Sequence, residues 1–167
     1  MLASVKGKHI HSLYIFPFFM HIFPHPPLLC LIIGILMWHS PYMILFQAST
    51  WILLLILFIL AFSVGFSLSS LWQYHQYKTT INPHNFEQTH FLVTTGVYRL
   101  SRNPMYLSLL LVLIAIFLWK GSLLSLIGIV AFVVLMNQFQ IKWEEQFLLQ
   151  KFGEDYRIYL QQVRRWI

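Results

Sequence analysis

The chain has 167 residues, 58% hydrophobic and 10% charged, with a mean hydropathy of +0.67. A soluble domain carries about a quarter charged residues, so this composition excludes an ordinary water-soluble domain and points to a single membrane-embedded one. The basic surplus, Lys+Arg 11 against Asp+Glu 5, flanks apolar runs instead of lining a polar surface, which argues against nucleic acid and for anionic headgroups and the charge bias of cytoplasmic loops.

In chain order, residues 1–26 place Lys6 and Lys8 before "LYIFPFFMHIF". Pro17 and His21 interrupt that run and no small-residue cleavage site follows, so the segment is expected to lie in the membrane interface instead of being removed. A first apolar run, near 27–46, is broken by "HSP" at residues 39–41, giving either one Pro-kinked spanning helix or a short helix ending near His39. The clearest span is 51–71, "WILLLILFILAFSVGFSLSSL", which matches the ~20 residues needed to cross the hydrocarbon core. Trp51 and Trp72 bracket it as interfacial anchors.

The one long polar stretch, residues 73–103, carries turn chemistry at Asn82, Pro83 and Asn85 and reads as a loop. A loop of this length between membrane segments favours function. A third span near 104–119 begins at Pro104, where a missing N–H costs nothing, and "KGS" separates it from a fourth, 123–141. In the tail, 142–167, Phe152, Tyr156, Tyr159, Leu160 and Val163 recur at helical spacing with charges on the other faces. That pattern predicts an amphipathic helix lying on the bilayer. The expected fold class is all-α, a polytopic membrane bundle of about four transmembrane helices with a cytoplasmic C-terminal amphipathic helix. With both termini inside, Lys120 is the only cation outside, as the positive-inside rule requires.

This topology gathers the long loop, Arg99, Arg102, Asn103 and the Glu144–Glu145 pair at the cytoplasmic membrane level. Two of only five acidic residues are adjacent there. Asn137, Gln140 and Glu144 follow a spacing of three and four, so one face of the fourth helix turns polar as it leaves the bilayer. His9, His11, His21 and His25 match no zinc spacing, and the single cysteine, Cys30, sits in an apolar run, so no metal site is expected. Phosphate-loop, dinucleotide and nucleophile-elbow motifs do not occur. No internal repeat supports a transporter of inverted halves.

The segment "GVYRLSRNPMYLS", a hydrophobic stretch, and then "EEQFLLQKFGEDYRIYLQQVRRWI" together resemble the membrane methyltransferases that comprise the isoprenylcysteine carboxyl methyltransferases and the phospholipid N-methyltransferases. Their pattern is Arg-His-Pro-x-Tyr-x-Gly, a hydrophobic stretch and a Glu-Glu pair, often with a Phe-Gly…Tyr…Tyr…Arg tail. "TTINPHN" is similar to the Thr-Thr-x-Asn-Pro loop of bacterial members. Asn103 stands where the pattern has His, and Ser108 where it has Gly. Asn donates and accepts hydrogen bonds but does not titrate near neutrality, which removes a proton-shuttling role at 103.

The resemblance implies S-adenosyl-L-methionine as methyl donor, bound on the cytoplasmic side, and a lipophilic acceptor entering from the bilayer. It carries a catalytic role to Arg102, Asn103 and Tyr106, and cofactor binding to Gly96, Tyr98, Arg102, Pro104, Glu144 and Glu145. A cofactor with an ammonium and a carboxylate needs both kinds of partner: Glu144 or Glu145 for the ammonium or ribose hydroxyls, Arg102 for a carboxylate of the cofactor or the acceptor. The expected acceptor is a carboxylate of isoprenylcysteine type, already ionised and in need of no base. The alternatives are a phospholipid amine, from which a proton must first leave, and a non-catalytic protein retaining the fold. Some sterol reductases share the C-terminal architecture, but four spans is small for them and no nicotinamide fingerprint is visible.

Overall fold

The computed structural model describes residues 25–41, 49–77 and 91–167. Nearly all of the N-terminal segment, residues 42–46 of the first apolar run and residues 78–90 of the polar loop, with its "TTINPHN", lie outside the described residues.

Helix α1, Pro26–His39, starts on a proline in its first turn. It ends where Ser40, extended ahead of Pro41 as a residue before proline prefers, returns its hydroxyl to the Met37 carbonyl at 2.7 Å. The helix thus ends at His39, before the proline, and the course of the run beyond Pro41 lies outside the described residues. Helix α2, Thr50–Gln76, opens on Ser49, whose side chain accepts from the Ile52 N–H at 3.4 Å. Its 27 residues span about 40 Å at 1.5 Å per residue, more than the ~30 Å hydrocarbon core. The expected span 51–71 is thus extended by five residues at the end that carries Gln73 and Tyr74.

A 3-10 turn, Gly96–Arg99, leads into α3, Pro104–Lys120. After the Gly121 turn comes α4, Leu123–Leu135, which passes through a π-helical stretch, Met136–Ile141, into α5, Lys142–Phe152, so that Leu123–Phe152 is one rod of 30 residues. Beyond Gly153, α6 covers Glu154–Gln162. No strand occurs among the described residues.

α3 is the centre of the packing: α1 and α2 each lie against it, and α4 packs on both α1 and α3. Leu113 on α3, Phe132 on α4, and Met136 and Ile141 in the π-helical stretch are fully enclosed, with Leu29, Ile33 and Met37 of α1 closing the cluster. On α2 the inward face carries two serines among Ile56, Phe66 and Gln73: Ser63 Oγ donates to the Ser108 carbonyl at 2.8 Å, and Ser70 Oγ meets the Tyr98 hydroxyl at 2.6 Å. Small hydroxyl side chains let helices approach closely and join them across lipid-free contacts.

The outward faces are apolar. Leu57, Phe58 and Leu68 of α2 are 63%, 66% and 61% exposed, and Leu31, Leu36, Ile127 and Val130 continue that surface on α1 and α4. Water would not tolerate so extensive an apolar surface, whereas hydrocarbon wets it, and α2 and the α4–α5 rod are each long and apolar enough to cross a bilayer. α1 and α3 are shorter apolar helices.

The tail departs from the expected surface helix. Its first 11 residues, Lys142–Phe152, continue the rod that begins at Leu123, and the tyrosine face of α6 turns into the protein, with Tyr156 and Tyr159 only 2% and 5% exposed. The spacing of those tyrosines is helical, but periodicity alone does not distinguish a face turned to lipid from one turned to a neighbouring helix.

Candidate active site

A cavity of about 490 Å³ opens where the start of α1, the end of α2, the start of α3 and the α5 part of the rod meet, well within the size range of small-molecule sites. Residues 91–93, Tyr98 and α6 close it on the remaining sides. α1, α2, α3 and the rod therefore all present the same end of the bundle to the cavity.

Its chemistry divides between two neighbouring glutamates. Glu145 is committed to cations: Arg102 Nη2 lies 3.1 Å from Oε1, Arg165 donates Nε to Oε1 at 3.0 Å, and Arg165 Nη2 reaches Oε2. That hydrogen-bonded pairing holds the Arg165 guanidinium above its ordinary pKa. The side chains of Arg102 and Glu145 are 12% and 17% exposed, and Arg102 Nε is buried without a hydrogen-bond partner. Glu144 has neutral donors instead. Tyr106 Oη and Gln140 Nε2 both donate to Oε1, the latter at 2.7 Å, and no Lys, Arg or His among the described residues forms an ion pair with it.

Around these groups stand the rings of Tyr74, Tyr98, Tyr106, Tyr156 and Tyr159. Tyr74 meets Tyr98 edge-on with centroids 5.7 Å apart, and Tyr159 Oη donates to the Tyr98 carbonyl at 2.6 Å. Burial pushes the phenols of Tyr98, Tyr156 and Tyr159 far above their usual range, so they remain neutral donors and aromatic walls at any physiological pH.

Of the residues singled out in the sequence, Arg102, Asn103, Pro104, Tyr106, Tyr98, Glu144 and Glu145 all line this cavity. Gly96 does not. Its φ is +56°, and a Cβ there would fall 2.8 Å from Gln73 Cδ, so its place is a turn seated on α2. Arg99 is exposed. The Asn103 side chain, where the family pattern has His, donates Nδ2 to the Arg165 carbonyl at 2.9 Å. Ser108 folds its hydroxyl back to the Met105 carbonyl at 2.7 Å, and the α2–α3 approach survives the missing glycine through the bond from Ser63 to its own carbonyl.

Sequence reasoning did not bring Arg165, Tyr74 or Ser67 to the site. It placed Arg165 among the outward charges of a surface helix, and the one signal toward it was the arginine that ends the tail pattern. Gln140 was visible as part of a polar helix face, without its partner.

The chain matches the phospholipid methyltransferase family over residues 51–155 and belongs to that family. An uncharacterized protein of Haemophilus influenzae is 54% identical over 63 residues, 38% of this chain and 100% of that protein. Protein-S-isoprenylcysteine O-methyltransferase A of Arabidopsis thaliana is 39% identical over 82 residues, 47% of this chain and 40% of that protein. A probable protein-S-isoprenylcysteine O-methyltransferase of Oryza sativa subsp. indica is 37% identical over the same length, 41% of its own chain. The matched region is thus about two fifths of the length of these plant relatives. No solved structure matches. The resemblance read from the arginine, glutamate and tail motifs is thereby shown at the level of the family.

Proposed function

We propose that this chain is an S-adenosyl-L-methionine-dependent methyltransferase that modifies a lipophilic acceptor at the cytoplasmic face of a membrane. The observation that carries this reading is the division of charge inside one cavity: a carboxylate, Glu144, without a cationic partner among the described residues, and on a facing element a guanidinium, Arg102, with a buried Nε that has no partner among them. Such a pair suits a zwitterion, and the amino-acid part of S-adenosyl-L-methionine is one. The donor set therefore fits the cofactor: Glu144 for the ammonium, Arg102 for the carboxylate, and the tyrosine rings for the cationic sulfur and the adenine.

The cofactor supplies a methyl group on a positively charged sulfur. The chain's part is to align and to exclude water, the main demand of an in-line displacement. Tyr106 and Gln140 fix the Glu144 carboxylate in place, and Arg102 is held by Glu145. The exposed apolar faces of α1 and α2 let a lipid-borne acceptor approach without leaving hydrocarbon. Attack by an anion on a sulfonium cancels charge, so the low-water setting favours it.

The acceptor proposed is a carboxylate of isoprenylcysteine type, the substrate class named for the plant relatives. A second reading, a phospholipid amine, is favoured by the family model and by Glu144, a carboxylate within the cavity able to take the proton that an amine must lose. Four spans with both termini cytoplasmic complete the proposal, since the cavity then lies on the side that holds the soluble cofactor.

The test is calorimetric titration of S-adenosyl-L-methionine into the detergent-purified protein, with Glu144→Ala and Arg102→Ala as controls. Saturable binding lost in both variants is expected. A folded wild-type protein that takes up no cofactor sinks the reading. With binding established, methyl transfer from labelled cofactor to a farnesylcysteine or to phosphatidylethanolamine decides between the acceptors.

A further inference from the structure

The last residues of the chain form a strap beneath the Arg102 turn. The Arg102 N–H donates to the Arg164 carbonyl at 3.1 Å, and Asn103 Nδ2 donates to the Arg165 carbonyl at 2.9 Å, with Ser101 Oγ 3.4 Å from the same oxygen. From the other side of the same residue, the Arg165 guanidinium grips Glu145, and Glu145 holds Arg102. Trp166 anchors the strap to the rod, its Nε1 donating to Asn137 Oδ1 at 3.1 Å. The contacts close on themselves: Arg102 and Asn103 are covalent neighbours, and both ends of the path return to them.

We infer that Asn103 and Arg165 are positioning residues that preset Arg102 for an incoming carboxylate, through the ring Asn103–Arg165–Glu145–Arg102. The inference rests on the cofactor reading above for the identity of the carboxylate, and on geometry alone for the ring.

Two physical arguments support it. A guanidinium on a flexible stem binds poorly unless its rotamers are already restricted, and here one carboxylate oxygen and one backbone bond restrict Arg102 from opposite directions. Charge is the second. Glu145 alone would neutralise Arg102, leaving nothing to attract an anion. With Arg165 sharing that carboxylate the group carries one net positive charge, and the unpaired Arg102 Nε marks where donor capacity is left over. Asn103 suits this role because its amide donates to a carbonyl at every pH. The replacement of the family's histidine at this position thus leaves a donor in place of a proton shuttle.

The experiment uses the full-length protein in detergent with four variants: Asn103→Ala, Asn103→Asp, Asn103→His and Arg165→Gln. Two readouts are taken, hydrogen exchange of the segments containing 96–106 and 163–167, and affinity for S-adenosyl-L-methionine and for its decarboxylated analogue. If the ring operates, Asn103→Ala, Asn103→Asp and Arg165→Gln speed exchange in both segments and weaken S-adenosyl-L-methionine about tenfold, the size of one lost orienting hydrogen bond. Affinity for the decarboxylated analogue, which lacks the group Arg102 would hold, is unchanged. Asn103→His, which keeps a donor, behaves as wild type.

Equal weakening of both ligands means a merely structural strap and overturns the positioning role. Unchanged exchange at 96–106 in Arg165→Gln breaks the ring itself. A wild-type protein that binds neither ligand refutes the cofactor reading and with it the positioning role, while the exchange data still decide whether the ring exists.

Discussion

Adjacent glutamates with different partners make a sharp prediction at the level of single residues. Glu145→Gln removes the charge shared by two guanidiniums and leaves both without compensation. The expected loss is about 3 kcal/mol, the lower end for breaking a buried pair because Arg165 is partly exposed, seen as a clear fall in thermal midpoint. Glu144→Gln keeps an acceptor for Tyr106 and Gln140, so its midpoint is expected to stay near wild type while cofactor affinity falls at least tenfold. A midpoint that falls equally in both variants would contradict the division of roles. At Gly96 the prediction concerns folding: with φ at +56° and Gln73 Cδ at 2.8 Å, Gly96→Ala brings both backbone strain and a clash, and is expected to destabilise by about 2–3 kcal/mol, measured as a lower thermal midpoint. The sequence located both glutamates and Gly96 but could not sort their roles, because which carboxylate is neutralised depends on Arg165, twenty residues away along the chain and brought back only by the fold.

Among the elements, the α4–α5 rod and the α6 turn fix the site. The π-helical stretch at Met136–Ile141 widens the rod as it reaches the cavity, the place where such turns recur at functional sites. Gln140 and Asn137 leave this stretch toward Glu144 and toward the strap. Gly153, with φ +54° and ψ −118°, breaks the rod and folds α6 back over the cavity. Nothing lies within 4 Å of a Cβ built there, so Gly153→Ala tests strain without crowding. The expected result is faster proteolysis beyond residue 153 and weaker cofactor binding, with the rest of the bundle intact by circular dichroism. Helix α2, the α3 start at Pro104 and the Gly121 turn were legible from hydropathy, proline and glycine, because those signals are local. The π stretch and the inward face of α6 were not, because a one-residue widening leaves no mark in an apolar run and a tyrosine stripe fits lipid and protein alike.

The whole molecule is organised with one polar end. α1, α2, α3 and the rod bring one end each to the cavity, while the opposite end is tied by Ser40, Ser122 and Ser125 and by the Ser122 hydroxyl on the Pro41 carbonyl. The four crossings proposed above would place Lys151 and the cavity on one side of the membrane and Leu123 on the other. In a Cys30→Ala background, Leu123→Cys is expected to react with an impermeant thiol reagent applied to intact cells, and Lys151→Cys only after permeabilisation; the reverse pattern would put the cavity outside. The central place of α3 also bears on assembly. Since α1 and α2 each pack on α3, these two helices are synthesised before the partner they share. Until then the hydroxyls of Ser63 and Ser70 lack the Ser108 carbonyl and the Tyr98 hydroxyl that they meet in the folded protein, and the cavity, which takes residues 91–159 for most of its lining, comes into being only with the second half of the chain.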